Sequence, residues 1–193
     1  GVAARIERLG RQALPISADL SSRDGVAALV EQTKARFPRV DILVNNAGVG
    51  GSQNPNPVSQ FDDDFWDLSL MVNLTAPYLL TKAYLPSMIE SGWGRVINIA
   101  SIAAKRGSPN RSAYSATKHG LVGLTRSAAL EVAKSGVTVN AICPGPVRTV
   151  MFERLLERVG CGDLPSQRLM VPVTVEVEGD ASDRGASVAG LCR

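Results

Sequence analysis

Three short apolar runs, Asp41-Ile42-Leu43-Val44, Val96-Ile97-Asn98-Ile99-Ala100 and Val137 to Ile142, recur along the chain with helix-length stretches between them. This alternation constrains the fold more than any other feature. Strands that are joined by helical crossovers lie parallel, and a parallel sheet has to be covered by those crossovers. The expected class is α/β, with an open, doubly wound parallel sheet. Ligands on such sheets bind beyond the carboxyl ends of the strands. Attention therefore falls on Asp19, Asn45 to Gly48, Ser101, and Pro144 to Thr149.

In chain order, residues 1 to 10 carry Val2, Ile6 and Leu9 on one helical stripe and stop at Gly10. Ala13 to Ala18 has the composition of a short strand that ends at Asp19, and Ser21 or Ser22 can cap a helix with Val26, Leu29, Val30 and Phe37 at helical spacing. Val49 to Asp64 is polar and rich in Gly and Pro, which predicts a loop. One or two helices follow over residues 65 to 90, with kinks expected at Pro77 and Pro86 and Asn73 near the first of them. After the strand to Ala100, a basic loop from Ala103 to Arg111 leads to a helix that runs to about Lys134 and stops at Ser135-Gly136. The next strand alternates Val137, Val139 and Ala141 against Thr138, Asn140 and Ile142 before Pro144-Gly145. Farther on, Val171, Val173, Val175 and Val177 alternate with polar residues, and Pro172 makes that strand an edge.

At 193 residues, with 45% hydrophobic and 20% charged content, the chain has the composition of one ordinary globular domain. The expected boundaries are a domain over residues 1–178 and a flexible tail over 179–193. No apolar run approaches the roughly 18 residues of a membrane span. A net charge of +3 without a Lys/Arg block argues against nucleic acid. Cys143, Cys161 and Cys192 have no metal-ligand spacing, so no metal is expected and a reduced, cytoplasmic compartment fits them.

The chemistry centres on Ser112-Ala113-Tyr114-Ser115-Ala116-Thr117-Lys118-His119-Gly120. Residues four apart share a helix face, so Tyr114 and Lys118 are neighbours. An ammonium close by favours a phenolate, which lets a phenol of ordinary pKa about 10 exchange protons nearer neutrality. That is general acid/base chemistry. His119, one position on, points about 100° away and is expected to be a surface residue. Cys143, on the last strand, is expected to be buried.

The set Asn45-Asn46-Ala47-Gly48, Ser101, Tyr114 with Lys118, and Pro144-Gly145-Pro146-Val147-Arg148-Thr149 resembles the short-chain dehydrogenase/reductase family, most convincingly over residues 10–149. The nearest flavour resembles 3-oxoacyl carrier-protein reductases and hydroxy-acid dehydrogenases. The resemblance implies a Rossmann-like sheet and hydride transfer between NAD or NADP and a ketone or secondary alcohol. It implies Tyr114 as proton donor or acceptor, Lys118 as its partner and a ligand of the nicotinamide ribose, Ser101 as a donor to the substrate oxygen, and Asn73 as holder of a water that serves the Lys. By the same resemblance Asp19 meets the adenine amino group, and Asn45, Ala47 and Gly48 line the adenosine side. Pro144, Gly145, Val147 and Thr149 would lie over the nicotinamide.

Family members pair helices between subunits, so a homodimer or homotetramer is implied. The apolar positions Leu121, Val122, Leu124 and Leu130 exceed what one sheet-facing stripe needs. A dinucleotide domain of this kind opens with a strand, a glycine-rich turn and a helix. No such segment is found in the sequence, so the fold is expected to be N-terminally incomplete and to bind dinucleotide poorly. A catalytically silent binding or scaffold protein is the alternative that this feature supports. In the resemblance, Met151 to Val159 would form the helix that covers the substrate.

Overall fold

The computed structural model describes residues 1–51, 53–145 and, as backbone only, 173–174. Val147, Thr149, the helix expected over Met151 to Val159 and the tail expected over 179–193 lie outside the described residues. Among the described residues four strands form one sheet in the order β1 (Ile42–Asn45), β2 (Gly94–Ile99), β3 (Val137–Cys143) and β4 (Val173–Thr174). β1 and β2 are parallel with Asn45 opposite Asn98, and β2 and β3 are parallel with Ile99 opposite Ile142. Their carboxyl ends therefore form one continuous edge. β4 pairs antiparallel with Ile142 and Cys143, on the side away from β2. Of the strand expected over 171–177, Val173 and Thr174 are the described part.

The crossovers are α3 (Asp63–Leu70) and α4 (Ala76–Glu90) between β1 and β2, and α5 (Ser112–Glu131) between β2 and β3. α1 (Val2–Arg8) and α2 (Arg23–Arg36) precede the sheet. The alternation in β3 works as expected: Val137, Val139, Ala141 and Cys143 are buried, and the residues between them are exposed. Val137 and Val139 cluster with Val96 from β2, Val26 from α2, Ala76, Leu80, Tyr84 and Met88 from α4, and Ala128 and Val132 from α5, while Ala141 and Cys143 cluster with Ala100, Ala104, Leu121 and Val122. All three long helices thus contribute to one core on one face of the sheet. On the opposite face Ile42, Val44 and Ile142 remain 54%, 52% and 43% exposed.

Local chemistry explains most of the boundaries. The Ser22 hydroxyl accepts from the Gly25 amide at 3.0 Å and starts α2, as an N-cap should. Before β3 the chain turns at Gly136, whose φ of +74° suits glycine, and a Cβ there would lie 2.0 Å from the Gly92 carbonyl oxygen.

The structure corrects several expectations. Residues 11–19 form no strand: Pro15 has no N–H to donate, and no described strand lies alongside to complete a ladder. The irregularity expected at Pro77 is a π-helical turn, Met71–Thr75, placed between α3 and α4. Pro77 lacks the N–H that would bond the Asn73 carbonyl four residues back, which explains why the α ladder fails there. Pro77 itself sits in the first turn of α4, where proline is tolerated, and Pro86 lies within the helix. Of the residues expected to be spare for subunit pairing, Leu121 and Val122 are buried in the chain's own core and Leu124 packs against it, while Leu130 is exposed.

Candidate active site

The edge formed by the strand ends is overhung by the first turns of α5. Lys118 is only 5% exposed, and its ammonium donates to the Ile99 carbonyl at 2.8 Å, at the very end of β2. The same nitrogen lies 5.8 Å from the centre of the Tyr114 ring, so the expected face is formed. Burial holds the Lys118 pKa down to about 8, against a smaller opposing effect of the Cys143 thiol. Burial likewise pushes the Cys143 pKa up, and this free cysteine is buried beside the site, as expected.

Asn73 projects from the π-helical turn and is fully buried. Its amide grips the Val49 peptide on both sides: Oδ1 accepts from Val49 N at 2.9 Å, and Nδ2 donates to Val49 O at 3.1 Å. Nδ2 also donates to the Thr117 hydroxyl at 3.2 Å, which in turn donates to the Tyr114 carbonyl at 3.0 Å. The loop after β1 is thereby tied to the helix that carries Tyr114 and Lys118. It packs so closely that a Cβ on Gly48 would stand 2.9 Å from Asn73 Oδ1 and 3.7 Å from Lys118 Nζ. A Cβ on Gly51 would meet Tyr114 Cβ at 2.8 Å.

Ser101 lies two residues past the end of β2 and caps the 3₁₀ turn Ile102–Ala104, its oxygen accepting from Ala103 N at 3.1 Å. A hydroxyl that accepts still has its proton to give. The following amide, Ile102 N, donates to the Pro144 carbonyl at 2.9 Å, which brings Pro144 and Gly145 alongside Ser101. Asn45 is buried; its Nδ2 donates to Asn98 Oδ1 at 2.8 Å, Asn98 Nδ2 donates to the Thr125 hydroxyl at 2.9 Å, and Thr125 donates to the Leu121 carbonyl at 2.7 Å. Asn45 Oδ1 has no partner among the described residues. Ala47 and Gly48 continue this loop.

Asp19 makes no hydrogen bond to this cluster. Its exposed carboxylate has its pKa lowered by the Ser21 side chain first and then by the Ser21 amide, which donates to it at 2.8 Å and fixes the approach to α2. His119 is exposed and its Nδ1 bonds the Ser115 carbonyl of its own helix, as the surface reading of it expects.

The short chain dehydrogenase family profile matches residues 1–160, with Asn73, Ser101, Tyr114 and Lys118 all inside the match. The chain belongs to that family. Among curated relatives of this short-chain dehydrogenase, a D-beta-hydroxybutyrate dehydrogenase of Rhizobium meliloti is 45% identical over 71% of the chain and 52% of its own length. The 3-oxoacyl-[acyl-carrier-protein] reductase FabG of Haemophilus influenzae is 36% identical over 95% of the chain and 72% of its own length. The chain thus spans about half the length of the hydroxybutyrate dehydrogenases it matches. Among solved structures, a metagenomic short-chain oxidoreductase in complex with NADP superimposes with a TM-score of 0.69 at 39% identity, over 82% of this chain and 71% of that one. A candidate gluconate 5-dehydrogenase from Beutenbergia cavernae with bound NADP gives 0.74 at 38% identity, over 83% of this chain and 63% of that one. The sheet and the helices on it are the short-chain dehydrogenase fold.

Sequence reasoning missed Thr117, Asn98 and Thr125. Signals for them were present. Thr117, Leu121 and Thr125 repeat every four residues on the buried face of α5, and an Asn inside an otherwise apolar strand run needs a buried partner. Among the described residues no helix is long and apolar enough to cross a membrane.

Proposed function

We propose that this short-chain dehydrogenase transfers a hydride between NAD or NADP and a ketone or secondary alcohol, with Tyr114 exchanging the proton on the substrate oxygen. The observation that carries the reading is Lys118. A lysine seldom sits 95% buried without a carboxylate, yet here a single carbonyl, Ile99 O, is its one hydrogen-bond partner among the described residues. Two of its three donors are left for a ligand, and a vicinal diol such as the nicotinamide ribose offers the matching pair of acceptors. Gly48, where a side chain would crowd Asn73 and approach Lys118, keeps the space beside that nitrogen open.

When bound, the dinucleotide supplies or accepts the hydride at its nicotinamide ring. In the reductive direction the Tyr114 hydroxyl gives its proton to the substrate oxygen as the carbonyl is reduced, and Ser101 donates a hydrogen bond to that oxygen as charge develops. In the oxidative direction Tyr114 takes the alcohol proton. Lys118 holds the ribose hydroxyls, Asn73 keeps the loop after β1 and α5 in register, and Asn45, Ala47, Gly48, Pro144 and Gly145 border the dinucleotide. By the family resemblance Asp19 would meet the adenine amino group, and Val147 and Thr149, outside the described residues, would lie over the nicotinamide.

The substrate carries an anionic group. Between Glu90 and Glu131 there is no acidic residue, while Arg95, Lys105, Arg106, Arg111, Lys118 and Arg126 all lie there, and the charges of Lys105, Arg126 and Lys118 all reach Cys143 beside the site. Such a one-sided field raises the local concentration of anions. The hydroxybutyrate and acyl-carrier-protein names of the relatives fit a substrate of this kind.

The test is nicotinamide absorbance with 3-oxo acids, their neutral esters and both cofactors. Tyr114→Phe is expected to lose about 10²- to 10⁴-fold in rate, Tyr78→Phe to keep it, and the acid to outrun its ester at low salt. Full activity in Tyr114→Phe would refute the assignment.

A further inference from the structure

We infer that Thr117 is a positioning residue: its hydroxyl fixes which way the Asn73 amide faces, and through that amide fixes the Val49 peptide beside Tyr114 and Lys118. A threonine hydroxyl has one proton, and that of Thr117 goes to the Tyr114 carbonyl, which can only accept. Toward Asn73 the hydroxyl is therefore an acceptor, and it requires the nitrogen of the amide, not the oxygen, at 3.2 Å. The oxygen then points at Val49 N, and the second proton of Nδ2 goes to Val49 O. A flipped amide would set two donors against each other at Val49 N and two acceptors without a shared proton at Thr117.

Both side chains are fully buried, so water is not at hand to replace a missing partner. The Val49 peptide follows Gly48, where an added Cβ would stand 2.9 Å from Asn73 Oδ1 and 3.7 Å from Lys118 Nζ. A rotation of the Asn73 amide would therefore be felt next to the ammonium. Thr117 contacts neither substrate nor reacting atoms in this scheme and acts through Asn73. Its effect on hydride transfer rests on the function proposed above; its effect on Val49 does not.

Hydrogen exchange on the protein without cofactor reads the second effect directly. In the wild type the Val49 amide should exchange much more slowly than the amide of Gln53, an exposed loop residue that donates to the Gly50 carbonyl at 3.1 Å. Thr117→Val keeps the volume and removes the acceptor. It should speed Val49 exchange about tenfold to a hundredfold while β3 stays protected, and Thr117→Ser should restore the slow rate. Cofactor titration followed by nicotinamide fluorescence should weaken in Thr117→Val and recover in Thr117→Ser. Unchanged Val49 protection in Thr117→Val overturns the inference, as does rapid Val49 exchange in the wild type, which needs no variant to fold. Slow Val49 exchange restored by serine, together with a failure of every variant to transfer hydride, would keep the inference and remove the proposed activity.

Discussion

Lys118→Met should make the protein more stable, and by an amount that depends on pH. In the fold the lysine falls from its ordinary 10.5 to about 8, chiefly because its charge is desolvated. That difference corresponds to about 3 kcal/mol by which the charged form is disfavoured in the native state. Below pH 8 folded and unfolded chains both carry the ammonium, so the native state bears the whole cost. Between about pH 8 and 10.5 the folded chain sheds the proton while the unfolded chain keeps it. The unfolded state then binds more protons, and wild-type stability rises with pH. Above 10.5 the cost has gone.

Methionine fills nearly the same space without charge but forfeits the bond to Ile99 O, worth about 1 kcal/mol. At pH 7 the variant should thus be more stable by about 2 kcal/mol, and by pH 9.5 the advantage should have nearly vanished. Urea unfolding of both proteins at several pH values measures this; titrating groups other than Cys143, whose charge interacts with Lys118, cancel to first order in the difference because both proteins share them. A stability difference that stays flat from pH 7 to 9.5 would refute the argument, since a lysine whose charge is comfortable in the site gives no such slope. The same burial that makes Lys118 costly keeps its spare donors away from water.

Gly136→Ala should destabilise by about 3 kcal/mol or more in urea unfolding, because φ is +74° and the new methyl would lie 2.0 Å from the Gly92 carbonyl oxygen. A loss below about 1 kcal/mol would mean that the turn before β3 moves freely. Asn45→Ala and Asn98→Ala should each cost about 1 to 3 kcal/mol, and the double variant should cost less than their sum by at least about 0.5 kcal/mol, since the two amides bond each other at 2.8 Å. Strict additivity in that cycle would show that the relay carries no coupling.

What the sequence disclosed depended on whether a signal was local. The one-turn spacing of Tyr114 and Lys118, the Ser22 cap and the period-2 burial of β3 are set by backbone geometry alone, and all of them stand in the structure. The strand expected over 13–18 failed because strand composition does not supply a neighbour, and a ladder is a non-local object. Pro77 announced an irregular helix, yet the sequence did not say that the ladder would open in the preceding turn and aim Asn73 at Val49. Thr117 was hidden for another reason. Threonine on a helix is as often a solvent-facing residue, and only the packing of α5 over the loop after β1 shows that its hydroxyl is buried against an amide.

The π-helical turn at Met71–Thr75 makes two demands on one stretch of chain that need not agree. The core asks only that α3 and α4 each present their apolar faces in phase, which an uninterrupted α-helix one residue shorter would also satisfy. The site asks for the additional residue, because it is the widened turn that turns Asn73 inward while Ala76, Leu80 and Tyr84 still face the sheet. Between Asp63 and Glu90, then, residue number is itself chemical information: a single deletion could leave a helix that packs well and a protein that has lost the group joining the loop after β1 to Tyr114.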